Sequence, residues 1–410
     1  MERGVDLRNA VGKRHGYHPS TMAVYLDHAA TSPLRPEAFE AMLPYLTTNA
    51  GNPSSLHATG RRARKAIDES RESIAQLIGA QPREIVFTSG GTEADNLAVK
   101  GAAWAATARG RHIVTTAVEH KAVLNATAIL ERANFEIVCL LVDEFGRVDP
   151  IDVAAALTER TTLVSVMSAN NEVGTLQPIA AIGEIVRGHG AKLHVDAVQL
   201  AAHEAIDINA WQADLVSLSA HKLGGPQGVG ALYIRRGTQL LPQLQGGSQE
   251  RQRRAGTENV AGIVGFAAAF ELARAESSAE AHRLRELSRR LRDGLDQLEG
   301  VTLTGHPDDR LPNNVSVVIE GVEGGDLVAA LDLEGVEVST GSACTSGSTE
   351  PSHVLLAMGI DPHLAHGSLR ITTGPETTAQ DVDTTLTAIR GVLPRLRGVE
   401  GVHPKVAATA

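Results

Sequence analysis

The feature that most constrains this chain is an alternation of two patterns. From Glu84 onward, short uninterrupted runs of Val, Ile and Leu recur between stretches long enough for helices. The runs at 84–88, 112–116, 135–142, 162–167, 192–195, 214–218 and 230–234 predict strands. The stretches at 93–106, 122–132 and 179–189 predict helices, with a further helix at 61–77. A strand with one wet face alternates polar and apolar residues. Apart from Lys192-Leu193-His194-Val195 these do not, so both faces of their sheet are expected to be covered. Beyond about residue 260 the pattern changes. A long Ala/Glu/Arg-rich helical region at 267–298 precedes strands at 314–319 and 336–339, a helix at 325–333 and a closing amphipathic helix at 379–396. The expected fold class is α/β: a large domain with a mostly parallel sheet covered by helices, plus a smaller α+β domain.

Aromatic residues make up 3% of the chain against 42% hydrophobic residues in all, so aliphatic side chains and Ala must fill the core. A formal net charge of −10 gives no support for a nucleic-acid or anionic-membrane surface. No apolar run approaches the roughly 18 residues of a membrane span. Neither a nucleic acid nor a membrane is therefore expected as a direct partner. The two cysteines allow one bridge at most, which fits a reducing, cytoplasmic setting. Residues 1–21 are polar and lack the apolar core of a signal peptide. Met22 stands directly before Ala23-Val24-Tyr25-Leu26-Asp27, so 1–21 is expected to be a flexible extension, and 398–410 a C-terminal tail.

Chemistry-bearing residues gather where the predicted strands end, the edge at which open α/β sheets bind ligands. Lysine occurs only at 13, 65, 100, 121, 192, 222 and 405. Lys222, in Ser219-Ala220-His221-Lys222, follows an apolar strand and precedes a Gly-rich turn, a place where an amine can lose its proton and form a Schiff base. Asp196 ends another apolar strand, suited to a cofactor's ring nitrogen, with Gln199 three residues on, in reach of a ring hydroxyl. Gly90-Gly91-Thr92 joins a strand to a helix, where backbone N–H groups can hold a phosphate. His120 is placed to stack on a ring and move protons. Asn171, within Asn170-Asn171-Glu172-Val173-Gly174, adds amide donors. Arg370 offers a strand-borne guanidinium for a carboxylate. Taken singly, each has an ordinary reading: a surface lysine, a helix cap, a tight turn, a structural histidine, a salt bridge.

The cysteines differ. Cys139, within Ile137-Val138-Cys139-Leu140-Leu141, reads as a buried small hydrophobe. Cys344 sits in Thr340-Gly341-Ser342-Ala343-Cys344-Thr345-Ser346-Gly347-Ser348, among small polar residues, as an exposed sulfur-transferring thiol must.

Together these segments resemble the cysteine desulfurases of the NifS/IscS type, fold-type I pyridoxal 5'-phosphate (PLP) enzymes of the class-V aminotransferase family. The resemblance runs from Tyr25 to about Arg397. It rests on Tyr25-Leu26-Asp27-His28-Ala29-Ala30-Thr31, Gly51-Asn52-Pro53-Ser54-Ser55-Leu56-His57, 88–96, Glu119-His120-Lys121-Ala122-Val123-Leu124, 170–174, 194–199, 219–222, Arg254-Ala255-Gly256-Thr257 and 341–346 in combination.

The resemblance implies that Lys222 carries PLP and removes the substrate Cα proton, that His120 stacks on the ring, and that Asp196 and Gln199 meet its nitrogen and hydroxyl. It implies that Gly91, Thr92, Ser219 and His221 hold the phosphate, with Thr257 reaching in from the second subunit of a homodimer. Asn171 and Arg370 would meet the carboxylate of L-cysteine. Cys344 would take the sulfur as a persulfide, release L-alanine, and deliver the sulfur to an acceptor protein in Fe–S cluster assembly or nucleic-acid thiolation. No resident metal is implied; Cys344 is the residue a transient Fe–S cluster would use. The implied division is a large domain at 32–273 and a small one from 22–31 and 274–397, carrying the cysteine loop.

Where relatives often continue after the arginine with Leu-Gly-Arg, this chain has Ile371-Thr372-Thr373-Gly374-Pro375-Glu376, without the second basic residue. The rival readings are another fold-type I enzyme, such as a selenocysteine lyase or aminotransferase, and a non-catalytic sulfur carrier. Cys344 argues against the aminotransferase. Lys222, Asp196 and His120 together argue against the carrier.

Overall fold

The structure is a computed structural model that describes residues 23–341 and 350–399. Its elements, in chain order, are β1 (Val24–Tyr25), α1 (Pro36–Leu46), α2 (Ala58–Ile78), β2 (Ile85–Thr88), α3 (Gly91–Ala105), β3 (His112–Thr116), α4 (Lys121–Arg132), β4 (Glu136–Leu140), α5 (Pro150–Ala156), β5 (Thr161–Met167), α6 (Ile179–His189), β6 (Lys192–Asp196), β7 (Leu215–Ser219) and β8 (Gly230–Ile234). Then follow α7 (Val260–Asp296), β9 (Val301–Thr304), β10 (Asn314–Ile319), α8 (Gly324–Leu333), β11 (Val336–Glu337), α9 (His353–Ala357), α10 (Pro362–His366), β12 (Ser368–Thr372) and α11 (Ala379–Val399).

The continuous apolar runs become one seven-stranded sheet in the order β2-β8-β7-β6-β5-β3-β4. Pairs from β7 to β4 are parallel, and β8 runs antiparallel to both its neighbours. With β8 alone reversed, every other strand presents its C-terminal end to the same edge. All residues of β5, β7 and β8 are buried. One face of the sheet packs on α2, α6 and the first half of α7 through Ile67, Ile74, Ile182, Phe266 and Phe270. The other packs on α3 and α4 through Leu97, Ala98, Val123 and Leu130. Each of these side chains other than Ala98 contributes roughly 1.5–3 kcal/mol on burial.

A second core lies under the antiparallel sheet β12-β10-β9 and the short parallel pair β1-β11. The helix α7 serves both cores. Phe266 and Phe270 belong to the first, Leu287, Leu291 and Leu295 to the second. Leu26 also packs into the second core, beside Val336 and Ile371.

Two differences from the sequence reading matter. Cys139 is exposed rather than buried. Its strand, β4, is the last of the sheet, and an edge strand can be apolar in sequence while one flank stays open. The short elements α1, α5 and β9 were not expected; α1 carries Pro36 at its start and Pro44 inside, which obscures a helical period. The expectation for 1–21 lies outside the described residues, as does that for the 398–410 tail apart from 398 and 399, which are not tail but the end of α11. Among those described, no helix is long and apolar enough to cross a membrane.

Candidate active site

β7 ends at Ser219 and passes into a single turn, Ala220–Lys222. The segment after Asp27 clasps this turn. Lys222 Nζ donates to the carbonyls of Ala29 at 2.5 Å and Ala30 at 2.7 Å. Ser32 Oγ donates to the Lys222 carbonyl at 3.2 Å, and Ser32 N to that of His221. His221 Nδ1 lies 3.1 Å from Thr31 Oγ1. Burial, with Lys222 beside it, pushes the His221 imidazole down to about 4, so its ring is neutral at neutral pH.

Asp196 ends β6, where its carboxylate accepts from Val198 N at 2.9 Å. Burial raises its pKa, while His120, the Val198 N–H and Lys222 pull the other way. A cationic ring nitrogen is the partner that such a carboxylate favours. His120 caps α4, its Nδ1 accepting from Ala122 N at 3.1 Å. That bond fixes the neutral ring with its proton on Nε2. Gln199 Nε2 donates to the Ala29 carbonyl at 3.0 Å. Asn171 sits on a turn shaped by its neighbour: Asn170 Oδ1 accepts from Glu172 N and Val173 N, and Asn170 Nδ2 donates to the Val118 carbonyl.

At the start of α3, Gly91 packs under Val198 so closely that a Cβ there would stand 2.8 Å from Val198 Cγ2. The positive end of that helix and the hydroxyl of Ser219, buried and without a hydrogen-bond partner among the described residues, form an anion cradle. Glu93, one turn in, accepts from Ser89 N and from both Nε and Nη2 of Arg254. Burial raises the Glu93 carboxyl, but the Arg254 and Ser89 donors outweigh it and hold the pKa low.

These side chains meet in one cavity of about 380 Å³. Lys222, His120, Asp196, Gln199, Asn171 and Arg370 line it, and so do Gly91, Thr92, Ser219 and His221 at its phosphate end. An adjoining opening of about 370 Å³ shares that end and leads out past Ser89 and Gly228. Thr257 does not line the cavity of its own chain; it is exposed. Cys344 lies outside the described residues, but Gly341, the last one described before that segment, is in the cavity wall.

The sequence reading passed over several participants. Asp95 lines the cavity, and Glu119 is fully buried behind His120, its Oε1 accepting from Thr116 Oγ1 at 2.7 Å and Met167 N at 2.9 Å. Burial pushes Glu119 up to about 8. Both stood inside quoted motifs, but polar neighbours on each, Glu93 and Asn96 beside Asp95 and His120 and Lys121 beside Glu119, gave no signal that they are buried. The carbonyls of Ala29 and Ala30 carry no signal in sequence at all.

The class-V aminotransferase family model matches residues 24–385. The chain is 50% identical over 377 residues to the cysteine desulfurase IscS of Dictyoglomus turgidum, a match covering 92% of this chain and 96% of that protein. The chain belongs to the cysteine desulfurases of the class-V aminotransferase family. A second IscS, from Methanosarcina thermophila, is 48% identical to this desulfurase over 383 residues, covering 93% of this chain and 95% of its own. Among solved structures, a NifS-like protein superposes with a TM-score of 0.86 at 37% identity, covering 91% of this chain and all of its own. The cofactor of such a desulfurase is PLP, and the residues present fit it: an amine, a buried carboxylate and an anion cradle with a hydroxyl unpartnered among the described residues all open on one cavity.

Proposed function

We propose that this desulfurase converts L-cysteine to L-alanine in the cavity at the C-terminal edge of the sheet and takes the sulfur onto Cys344 as a persulfide. The observation that carries the reading is the convergence of Lys222, His120, Asp196 and Arg370, from four separate strand regions, on one cavity. PLP, when bound, supplies the electron sink for chemistry at the substrate Cα. Lys222 anchors the cofactor and, once released by substrate, holds the proton taken from Cα. Asp196 pairs with the ring nitrogen and Gln199 with the ring hydroxyl. Gly91, Thr92, Ser219 and His221 bind the phosphate. His120 offers Nε2–H for proton transfer, and Asn171 and Arg370 hold the substrate carboxylate. Cys344, as thiolate, attacks the substrate Sγ; the Cβ–S bond breaks, an S–S bond forms, and protonation of the carbon releases alanine.

Thr257, in this reading, completes the phosphate site of a partner in a homodimer. Two features support that. The opening beside the cradle leads out of the chain near Arg254, which Glu93 ties to α3. Phe39, Leu43 and Leu46, on one face of α1, are exposed and need a cover. The persulfide then passes to an acceptor protein of Fe–S assembly or nucleic-acid thiolation, in the cytoplasm, where thiols stay reduced. The proposed division, 32–273 against 22–31 with 274–397, is supported by the two cores that α7 joins.

Borohydride reduction of the holoenzyme tests the cofactor site: PLP should become fixed to the peptide containing Lys222, and label on another lysine overturns the assignment. Mass spectrometry after incubation with L-cysteine tests the sulfur site, with one extra sulfur expected on the Cys344 peptide.

A further inference from the structure

We infer that Asp27 is a positioning residue that aims Arg370 at the substrate carboxylate; the inference rests on the reading of Arg370 given above. A guanidinium has five N–H donors in a planar fork. In Arg370, Nη1 donates to the carbonyls of Asn171 at 2.9 Å and Gly341 at 3.2 Å. Nη2 donates to Asp27 Oδ1 at 2.7 Å. Nε is buried and has no hydrogen-bond partner among the described residues. What remains is Nε–H and one N–H of Nη2, on two nitrogens of the same fork. Two such N–H groups suit a carboxylate.

Asp27 anchors the fork. Its carboxylate fixes Nη2, and the two carbonyls fix Nη1, so the plane of the guanidinium cannot turn. Both backbones are locked as well. Arg370 N donates to the Ser339 carbonyl at 2.7 Å and Ser339 N returns the bond at 3.2 Å, while Thr372 N donates to the Leu26 carbonyl at 2.7 Å. Asp27 itself is bridged to Thr372. The Arg370 side chain is 2% exposed and Asp27 21%. At that depth a full positive charge needs a charged partner, and carbonyls supply only dipoles. Asp27 provides the charge and leaves Nε–H without a partner among the described residues.

The test uses holoenzyme and two probes that differ only in a carboxylate, the product L-alanine and ethylamine, with binding read from the cofactor's absorbance. Asp27→Asn keeps the shape and removes the charge. It is expected to weaken L-alanine about tenfold and ethylamine by less than about twofold, and to raise KM for L-cysteine about tenfold with kcat nearly unchanged. Asp27→Glu, which keeps the charge on a longer arm, should show a smaller loss with the same selectivity. If Asp27→Asn does not fold, that selectivity in Asp27→Glu decides alone. Unchanged or tighter L-alanine binding, or equal weakening of both probes, overturns the inference. Arg370→Ala separates it from the underlying reading: if that variant still binds L-alanine like the parent, Arg370 is not the carboxylate site, whatever Asp27 does.

Discussion

Gly374 lies so close to the imidazole of His28 that a Cβ at position 374 would stand 2.0 Å from His28 Cε1. The contact sits behind the lysine turn, because His28 Nδ1 is 3.3 Å from Ser32 Oγ, which donates to the Lys222 carbonyl. There Arg283, from α7, donates to the carbonyls of Gly374, Pro375 and Thr377. Gly374→Ala must push the imidazole aside, and overpacking of this kind costs about 1–3 kcal/mol. Urea unfolding should show a lower midpoint with an unchanged slope.

Glu119 sets a pH dependence. Burial raises its carboxyl from 4.5 to about 8. Between those values the folded chain keeps a proton that the unfolded chain has lost. Its contribution to stability is therefore full below about pH 4.5 and falls as the pH rises toward 8. Glu119→Gln should remove this part of the slope. The measurement is unfolding free energy at several pH values across that window, compared with the parent.

Arg71 and Glu250 form a buried two-bonded pair at 2.6 and 2.7 Å, with side chains 4% and 2% exposed, and Glu250 also accepts from Phe87 N. The pair holds Glu250, Arg251 and Gln252 at φ of 43°, 56° and 63°, a left-handed run that non-glycine residues avoid. Arg71→Ala leaves a buried charge unpaired and should cost about 3–5 kcal/mol. Because Thr257 follows that run, the variant should also lose PLP faster on dialysis.

The two cysteines should behave oppositely. Cys344→Ser is expected to keep PLP and bind L-cysteine yet yield almost no sulfide or alanine. Cys139 is exposed on an edge strand, and partial enclosure and Glu119 raise its thiol pKa, so little thiolate forms. Cys139→Ser should leave activity unchanged and stability within about 0.5 kcal/mol, as for other exposed positions. Sulfide and alanine release by both variants checks this. Desulfuration by Cys344→Ser at the parent rate would sink the persulfide reading and favour a general PLP lyase.

Much of this architecture was legible because it depends on local pattern. The strands at 112–116, 230–234 and 314–319 and the helix at 179–189 have the bounds read from sequence. Cavity-lining residues were legible where a polar group ends an apolar strand, as Asp196 does, or follows one within a turn, as Lys222 does. What pattern did not reveal is pairing at a distance. Cys139 was misread because an apolar run does not say whether its strand is central or last. Arg370 had two readings, salt bridge or carboxylate site; the structure shows the salt bridge to Asp27 and puts the guanidinium in the cavity wall, with Nε unpartnered among the described residues. The clasp of Ala29 and Ala30 on Lys222 is made by main-chain oxygens, which every residue has.

The pairing of β1 with β11 bears on how the molecule is made. As the chain leaves the ribosome from its N-terminus, the seven-stranded sheet is complete once β8 has emerged. Val24, Tyr25 and Leu26 must then wait, because Val336 and Ile371 are synthesised long afterwards. Until they arrive, the segment carrying Ala29 and Ala30 is held against the lysine turn only from the side of Gln199, His221 and Lys222, through Thr31 and Ser32. A nascent chain halted before β11 should thus contain a folded sheet whose lysine turn is clasped but whose cavity lacks the Arg370 wall, and capture of substrate becomes a late event in biosynthesis.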